Sequence, residues 1–230
     1  MAYRAVLFDV GGPLDMELAR EMAVDSAIAT ACGLEGIRVG QATVEEASDA
    51  ALAAFAPDVY AHMIETLCGG EPLAVARVRR RVQAMVGDLD VFQLRPDIDL
   101  LLRRLRQCDL KLGVIADKGE AASDRLARVG IRHLFDHLAH SDTAAGGGPV
   151  RGPLERACDA LGVAPAEAIM VGDRLDNDIA PARKLGMAAI QFRVGRHRRQ
   201  RPRSSAEEPD AVVTDVRELE GAIATLLGRR

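Results

Sequence analysis

Two short acidic segments stand at the ends of apolar runs. The first is Phe8-Asp9-Val10-Gly11-Gly12-Pro13-Leu14, which closes the run Arg4 to Asp9. The second is Val171-Gly172-Asp173-Arg174-Leu175-Asp176-Asn177-Asp178, which follows the run Ala168 to Val171. A carboxylate at a strand end can serve as a nucleophile. Several oxygens meeting at one place suit Mg2+, which takes carboxylates, carbonyls and water. The plainer reading of Asp173 and Asp178 is loop and helix-cap structure, since Asp is a good N-cap. The plainer reading of Asp9 is a strand-end acid with no chemistry. A shared metal site is preferred here because Asp9 is expected to come close to the second segment.

These segments need a scaffold that brings them together. Arg4 to Asp9 reads as a buried strand followed by a sharp loop. From about Glu17 to Val86 the chain is rich in Ala, Glu, Met, Leu and Arg at helical spacing, with breaks near Gly33, Pro57 and Gly69-Gly70. That predicts a unit of about four helices inserted after the first strand. Beyond Arg95-Pro96, helix and strand patterns alternate. Asp97 to Gln107 predicts a helix with Leu100, Leu101 and Leu105 on its apolar side, and Leu112 to Ala116 a buried strand. Further strands are expected at His137 to Ser141, Ala168 to Val171, Ala188 to Phe192 and Ala211 to Val213. Helices are expected at Glu120 to Val129, Leu154 to Leu161, Asp178 to Leu185 and Val216 to Leu227. Strands alternating with helices imply an α/β class with a parallel sheet covered on both faces. The expected division is a core of residues 1–15 and 90–230 around a helical cap of residues 16–89. Ligands of open α/β sheets bind at the carboxyl ends of the strands, where strand order reverses.

Composition narrows the function classes. The 230 residues are 48% hydrophobic and 28% charged, as in ordinary soluble globular proteins. Aromatics are only 3%, with no Trp, which argues against a stacking platform for single-stranded nucleic acid. A net charge of −4 disfavours general nucleic-acid binding. No apolar run is long enough for a membrane span, and the N-terminus lacks a signal-peptide pattern. Cys32, Cys68, Cys108 and Cys158 are far apart in the chain and form no zinc pattern; they read as reduced, mostly buried thiols of a cytoplasmic protein. His133, His137 and His140 read as surface or strand-edge residues.

Taken together, the motifs resemble the haloacid dehalogenase-like (HAD) superfamily over nearly the whole chain. FDVGGPL looks like its first motif, GVIAD stands where its second is expected, and VGDRLDNDIAPARKLGM matches its fourth. Leu94-Arg95-Pro96 looks like the return from cap to core. The resemblance implies a Rossmann-like fold with the first- and fourth-motif strands adjacent at the sheet centre. It implies Asp9 as the nucleophile that forms an aspartyl-phosphate. It also implies Mg2+ held by Asp9, Asp173, the main-chain carbonyl of Gly11 and Asp178.

Several positions depart from the family pattern. The usual general acid and base is Gly11, and the following Thr position is Pro13. The second-motif Ser or Thr is Ala116, followed by Asp117, and the third-motif Lys aligns with Gly148. General acid–base catalysis contributes ~10²–10⁴-fold, so these losses together imply slow turnover. Lys118, Arg151 and Arg174 are candidate replacement cations; the plainer reading of each is a solvated surface charge. Lys118 is the preferred one, with Ala116, Asp117 and Arg151 placed around the substrate. Arg193, Arg196, Arg198, Arg199, Arg201 and Arg203 form a basic run. It reads as a solvated mobile loop, partly balanced by Glu207, Glu208 and Asp210, rather than as a phosphate or nucleic-acid site. The expected activity is Mg2+-dependent hydrolysis of a small phosphate ester, weak or impaired. The alternative is a non-catalytic relative that binds a phosphorylated metabolite or a protein partner.

Overall fold

A computed structural model describes residues 2–116, 119–140 and 152–228. The chain divides into two compact units, one of residues 1–16 and 92–230, the other of residues 17–91. The first unit is built on a six-stranded, wholly parallel sheet: β1 (Ala5–Asp9), β2 (Lys111–Ala116), β3 (His137–His140), β4 (Ala168–Gly172), β5 (Ala188–Phe192) and β6 (Ala211–Val213). Their order in the sheet is β3-β2-β1-β4-β5-β6. Strand order therefore reverses at β1, which pairs with β2 on one side and β4 on the other. The crevice for a ligand in such a sheet lies at the carboxyl ends of these strands.

The strands read as unbroken apolar runs because a central parallel strand is covered on both faces. Val6, Leu7, Phe8, Ile169, Val171, Ile190 and Phe192 are all fully buried. Phe8 meets Phe135 edge-on, with ring centroids 6.3 Å apart. Among the helices of this unit, α5 (Ile98–Gln107) buries Ile98, Leu101, Leu102 and Leu105. That is the i, i+3, i+4, i+7 stripe of one helical face. Leu100 is 48% exposed, so its expected place on the apolar side is corrected: at ~100° per residue it falls outside the stripe that Ile98 begins.

The second unit contains α1 (Leu18–Leu34), α2 (Gln41–Ala53), α3 (Val59–Leu67) and α4 (Pro72–Val86), and its core includes Ile28, Ala31, Ala51, Met63 and Val78. Asp58 caps α3 by accepting the Ala61 N–H at 2.9 Å, and Pro72 opens α4 at a position where its missing N–H costs no bond. No helix among the described residues is long and apolar enough to cross a membrane.

The four cysteines are free, and Cys108 is exposed while Cys32, Cys68 and Cys158 are buried. Cys32 and Cys68, distant in the chain, are neighbours within the helical core. Burial above all pushes Cys32 and Cys158 up to about 11, which keeps both as thiols at neutral pH. His137 and His140 lie on the edge strand β3, and His133 is exposed.

Candidate functional site

β1 ends at Asp9, level with Ile115 of β2, and β4 runs alongside to Gly172. Asp173 follows directly. The adjacent strands thus deliver two carboxylates to the same end of the sheet.

A third carboxylate is brought in by the turn after β4. The sequence predicts a helix from Asp178; the chain instead makes one π-helical turn, Leu175–Ile179, before a short α8 (Ala180–Lys184). Asp178 lies inside this turn and folds back, so that its Oδ2 accepts the Arg174 N–H at 2.9 Å. It holds the acidic turn closed rather than capping the start of α8. π-turns of this kind often mark functional sites.

Asp9, Asp173 and Asp178 each offer a carboxylate oxygen, and these oxygens lie within 4.8 Å of one another. Asp173 and Asp178 are almost wholly buried, at 3% and 2% exposure, and Asp9 is half-buried. Two glycines make room for the cluster. A Cβ on Gly172 would stand 2.4 Å from Cβ, Cγ and Oδ2 of Asp178. Gly12 has φ +74°, and a Cβ there would stand 2.8 Å from the Asp173 Cβ. Only glycine adopts that backbone readily and admits the approach. Three carboxylates so close repel one another when ionised, and burial raises the cost. A hard divalent cation answers both problems, and an all-oxygen donor set suits Mg2+. The cluster and its glycine cradle therefore fit such an ion.

Around the cluster stands a layer that local sequence patterns did not reveal. The Arg174 guanidinium grips Asp176, with Nη2 2.8 Å from Oδ2. Burial pushes the Asp176 carboxyl up, but the Arg174 bonds and charge, with help from Gln200, outweigh it and hold the group below its usual range. Arg174 is thus not a solvated surface cation: its side chain is 20% exposed and its charge is paired with Asp176. Arg95 donates from Nε to the Gly12 carbonyl at 2.7 Å, while its Cζ lies 4.9 Å from the Phe192 ring centroid. A cation thereby braces the first acidic loop from a position 83 residues away.

The basic segment after β5 is solvated at Arg198, Arg199, Arg201 and Arg203, all exposed as expected, but part of it folds inward. It forms short 3₁₀ turns at Arg196–Arg199 and Ser205–Glu207, with Gln200 and Glu207 buried. Arg203 pairs with Glu207, whereas Asp210 pairs with Arg183 of α8 at 2.8 Å. Burial, with the nearby Arg174 charge, pushes His197 down to about 4, so it is neutral at pH 7. Gln200 of this segment reaches the acidic turn, a pairing across more than 20 residues that local composition does not encode.

Of the other expected site residues, Ala116 ends β2 one step beyond the level of Asp9, buried and paired in register with His140. Its side chain is a methyl group, which offers no hydrogen bond. Gly11 is bridged to Asp15. Asp117, Lys118, Gly148 and Arg151 lie outside the described residues.

Comparison with known proteins agrees with this geometry. The family model of haloacid dehalogenase-like hydrolases matches residues 3–186. A glyceraldehyde 3-phosphate phosphatase of Methanopyrus kandleri is 36% identical over 126 residues, 54% of each chain. The match thus spans about half the length of that relative. A phosphoglycolate phosphatase of Xanthomonas campestris is 30% identical over 190 residues, 81% of each chain. Among solved structures, a predicted phosphoglycolate phosphatase from Haemophilus somnus superposes with a TM-score of 0.68 at 18% identity, covering 97% of both chains. YfnB of Bacillus subtilis, solved bound to magnesium, superposes with a TM-score of 0.58 at 15% identity, over 97% of this chain and 100% of its own. At such identities the superpositions establish the fold, and the sequence matches establish the kinship. With the acidic cluster at the junction of its two central strands, the chain belongs to the haloacid dehalogenase-like hydrolases.

Proposed function

We propose that the protein is a Mg2+-dependent phosphatase of small phosphorylated metabolites, with Asp9 as nucleophile and turnover slowed by its missing side chains. One observation carries the reading: Asp9, Asp173 and Asp178 place their carboxylate oxygens within 4.8 Å of one another at the carboxyl ends of β1 and β4. Asp9, Asp173, Asp178 and the Gly11 carbonyl would hold Mg2+, which when bound offsets the negative charge of the carboxylates and of a phosphate ester.

In this reading an Asp9 carboxylate oxygen attacks phosphorus, and the ester P–O bond breaks. The leaving oxygen takes its proton from water, because Gly11 has no side chain to supply one. Water then hydrolyses the aspartyl-phosphate and regenerates Asp9. Loss of the acid–base group lowers the rate ~10²–10⁴-fold. The Ala116 methyl offers no hydrogen bond to the transferred phosphoryl group; in another enzyme, losing one such donor costs ~2.7–4 kcal/mol. Such effects are not additive when residues act as a unit. Lys118 is the proposed source of the missing positive charge, with Asp117 and Arg151 beside the substrate. The helical unit of residues 17–91 is proposed as the cap that selects the substrate, and a cytoplasmic setting is proposed from the free thiols.

A second reading, a protein that binds a phosphorylated metabolite or a protein partner without turning anything over, is favoured by the same Gly11 and Ala116. One experiment separates the two. Phosphate release is measured over a panel of phosphorylated metabolites with Mg2+, starting with glyceraldehyde 3-phosphate and phosphoglycolate, for wild type and Asp9→Asn. Turnover that vanishes in the variant supports the phosphatase. No turnover, or equal turnover in both, transfers the case to binding.

A further inference from the structure

Two buried glutamines on β5 and the segment after it reach the acidic turn. Gln191, fully buried and level with Gly172 in the sheet, donates from Nε2 to the Asp173 carbonyl at 3.4 Å. Its own Oε1 accepts a bond from Arg193 at 3.3 Å. Gln200, 3% exposed, lies 25 residues beyond Leu175 and accepts the Leu175 N–H on Oε1 at 3.0 Å. Its Nε2 faces Asp176 Oδ1 at 3.4 Å, the same carboxylate that Arg174 grips.

Leu175 opens the π-turn, and Asp178 lies within it. The first N–H groups of such a turn have no partner inside it. Gln200 fills one of them from outside, while the Arg174 N–H is filled by Asp178 itself. The path of the backbone between Asp173 and Asp178 is therefore fixed by a side chain that is no part of the acidic motif. We propose that Gln200 is a positioning residue for the metal-binding carboxylates: it sets the π-turn so that Asp178 meets Asp173 and Asp9. The proposal rests on the reading of the three carboxylates as a Mg2+ site, and it goes beyond that reading by assigning a role to the segment after β5. Groups that orient metal ligands without touching the ion typically change metal affinity by about 10–100-fold when removed.

The test is Mg2+ binding by isothermal titration calorimetry on the full chain, with thermal melts recorded in parallel. The variants are Gln200→Met, Gln200→Asn, Gln200→Glu and Asp173→Asn. Methionine keeps the volume and removes both bonds; asparagine keeps the amide but falls one methylene short of Leu175. Each is expected to weaken Mg2+ binding about tenfold. Glutamate retains the acceptor for the Leu175 N–H but turns a carboxylate oxygen toward Asp176 Oδ1, so it is expected to weaken Mg2+ binding as methionine does. Where turnover is measurable, Gln200→Met should raise the Mg2+ concentration for half-maximal rate by the same factor and leave the rate at saturating Mg2+ near wild type. A variant with a lowered Tm but wild-type Mg2+ affinity would overturn the positioning role, because a merely structural residue moves only the first. Wild-type affinity in Gln200→Met and Gln200→Asn, with binding lost in Asp173→Asn, overturns the proposal and leaves the metal site standing. Absence of Mg2+ binding in wild type, or undiminished binding in Asp173→Asn, overturns the metal site and the proposal with it. If Gln200→Met does not fold, Gln200→Asn decides on the same criterion.

Discussion

Adding one methyl group at Gly172 should disable the acidic cluster. A Cβ there would stand 2.4 Å from Cβ, Cγ and Oδ2 of Asp178, whereas ordinary contact begins at 3.4 Å. Asp178 must retreat by the 1.0 Å difference between these distances, or β4 must shift away from it. A retreat of that size is enough to break the 2.9 Å bond from the Arg174 N–H to Oδ2. Overpacking in a rigid interior costs ~1–3 kcal/mol. Losing a hydrogen bond to a charged group adds ~1.5–3 kcal/mol. Together Gly172→Ala should lose about 2.5–6 kcal/mol, a fall of roughly 5–24 °C in Tm for a chain of this size. Mg2+ affinity should fall by about tenfold or more, because the displaced carboxylate no longer meets Asp9 and Asp173. The control is Gly221→Ala in α9 (Val216–Gly228), where a Cβ meets nothing within 4 Å. That change should be neutral or stabilise by about 0.5–1 kcal/mol, since glycine weakens a helix interior. Differential scanning fluorimetry and calorimetric Mg2+ titration read both variants. A Gly172→Ala protein that melts and binds Mg2+ like wild type would refute the steric argument and the geometry of the cluster.

Gly12→Ala should be harmful for two reasons at once, a φ of +74° and a Cβ 2.8 Å from that of Asp173; Mg2+ titration and phosphate release should both fall, and unchanged values would count against the first acidic loop as drawn. His197 has a folded value near 4 against an ordinary 6.5. The unfolded chain therefore binds more protons between those two values, so folding stability rises with pH across that window and is lost as pH falls through it. The change is at most about 3 kcal/mol. Melts of His197→Gln from pH 4 to pH 6.5 should show a flatter pH dependence than wild type, and parallel curves would count against a buried neutral histidine. In α5, Leu102→Ala should cost ~2–5 kcal/mol by chemical denaturation, whereas Leu100→Ala, at an exposed position, should stay within about 0.5 kcal/mol.

The fold was largely legible because apolar runs and helical spacing are local properties. β5 is predicted as observed at Ala188–Phe192, and the strand that ends at Asp9 falls one residue from its expected start. The α5 stripe was partly misplaced because three adjacent leucines fit more than one helical face until Ile98 fixes the phase. Asp9, Asp173 and Asp178 could be picked out because each stands at or just after the end of a central apolar run. The inward-facing Arg174 and Gln200 could not, since a polar side chain reads as solvated until its partner is known. Asp176 lies two residues from Arg174, but Gln200 lies 24 residues from Asp176 and Arg95 lies 83 from Gly12.

The alternation of elements and the strand-end acids could be read along the chain, because both show in side-chain periodicity and local residue types. That the acids meet within 4.8 Å depends on how the strands pack in space. Sheet order β2-β1-β4 makes the ends of two sequence-distant strands adjacent, and Gly172 and Gly12 leave the space for the carboxylates to close on one another. The same structure decided that Gln200, Arg174 and Arg95 face inward: a buried turn must satisfy its N–H and carbonyl groups, and the side chains that do so are chosen by proximity in space rather than along the chain.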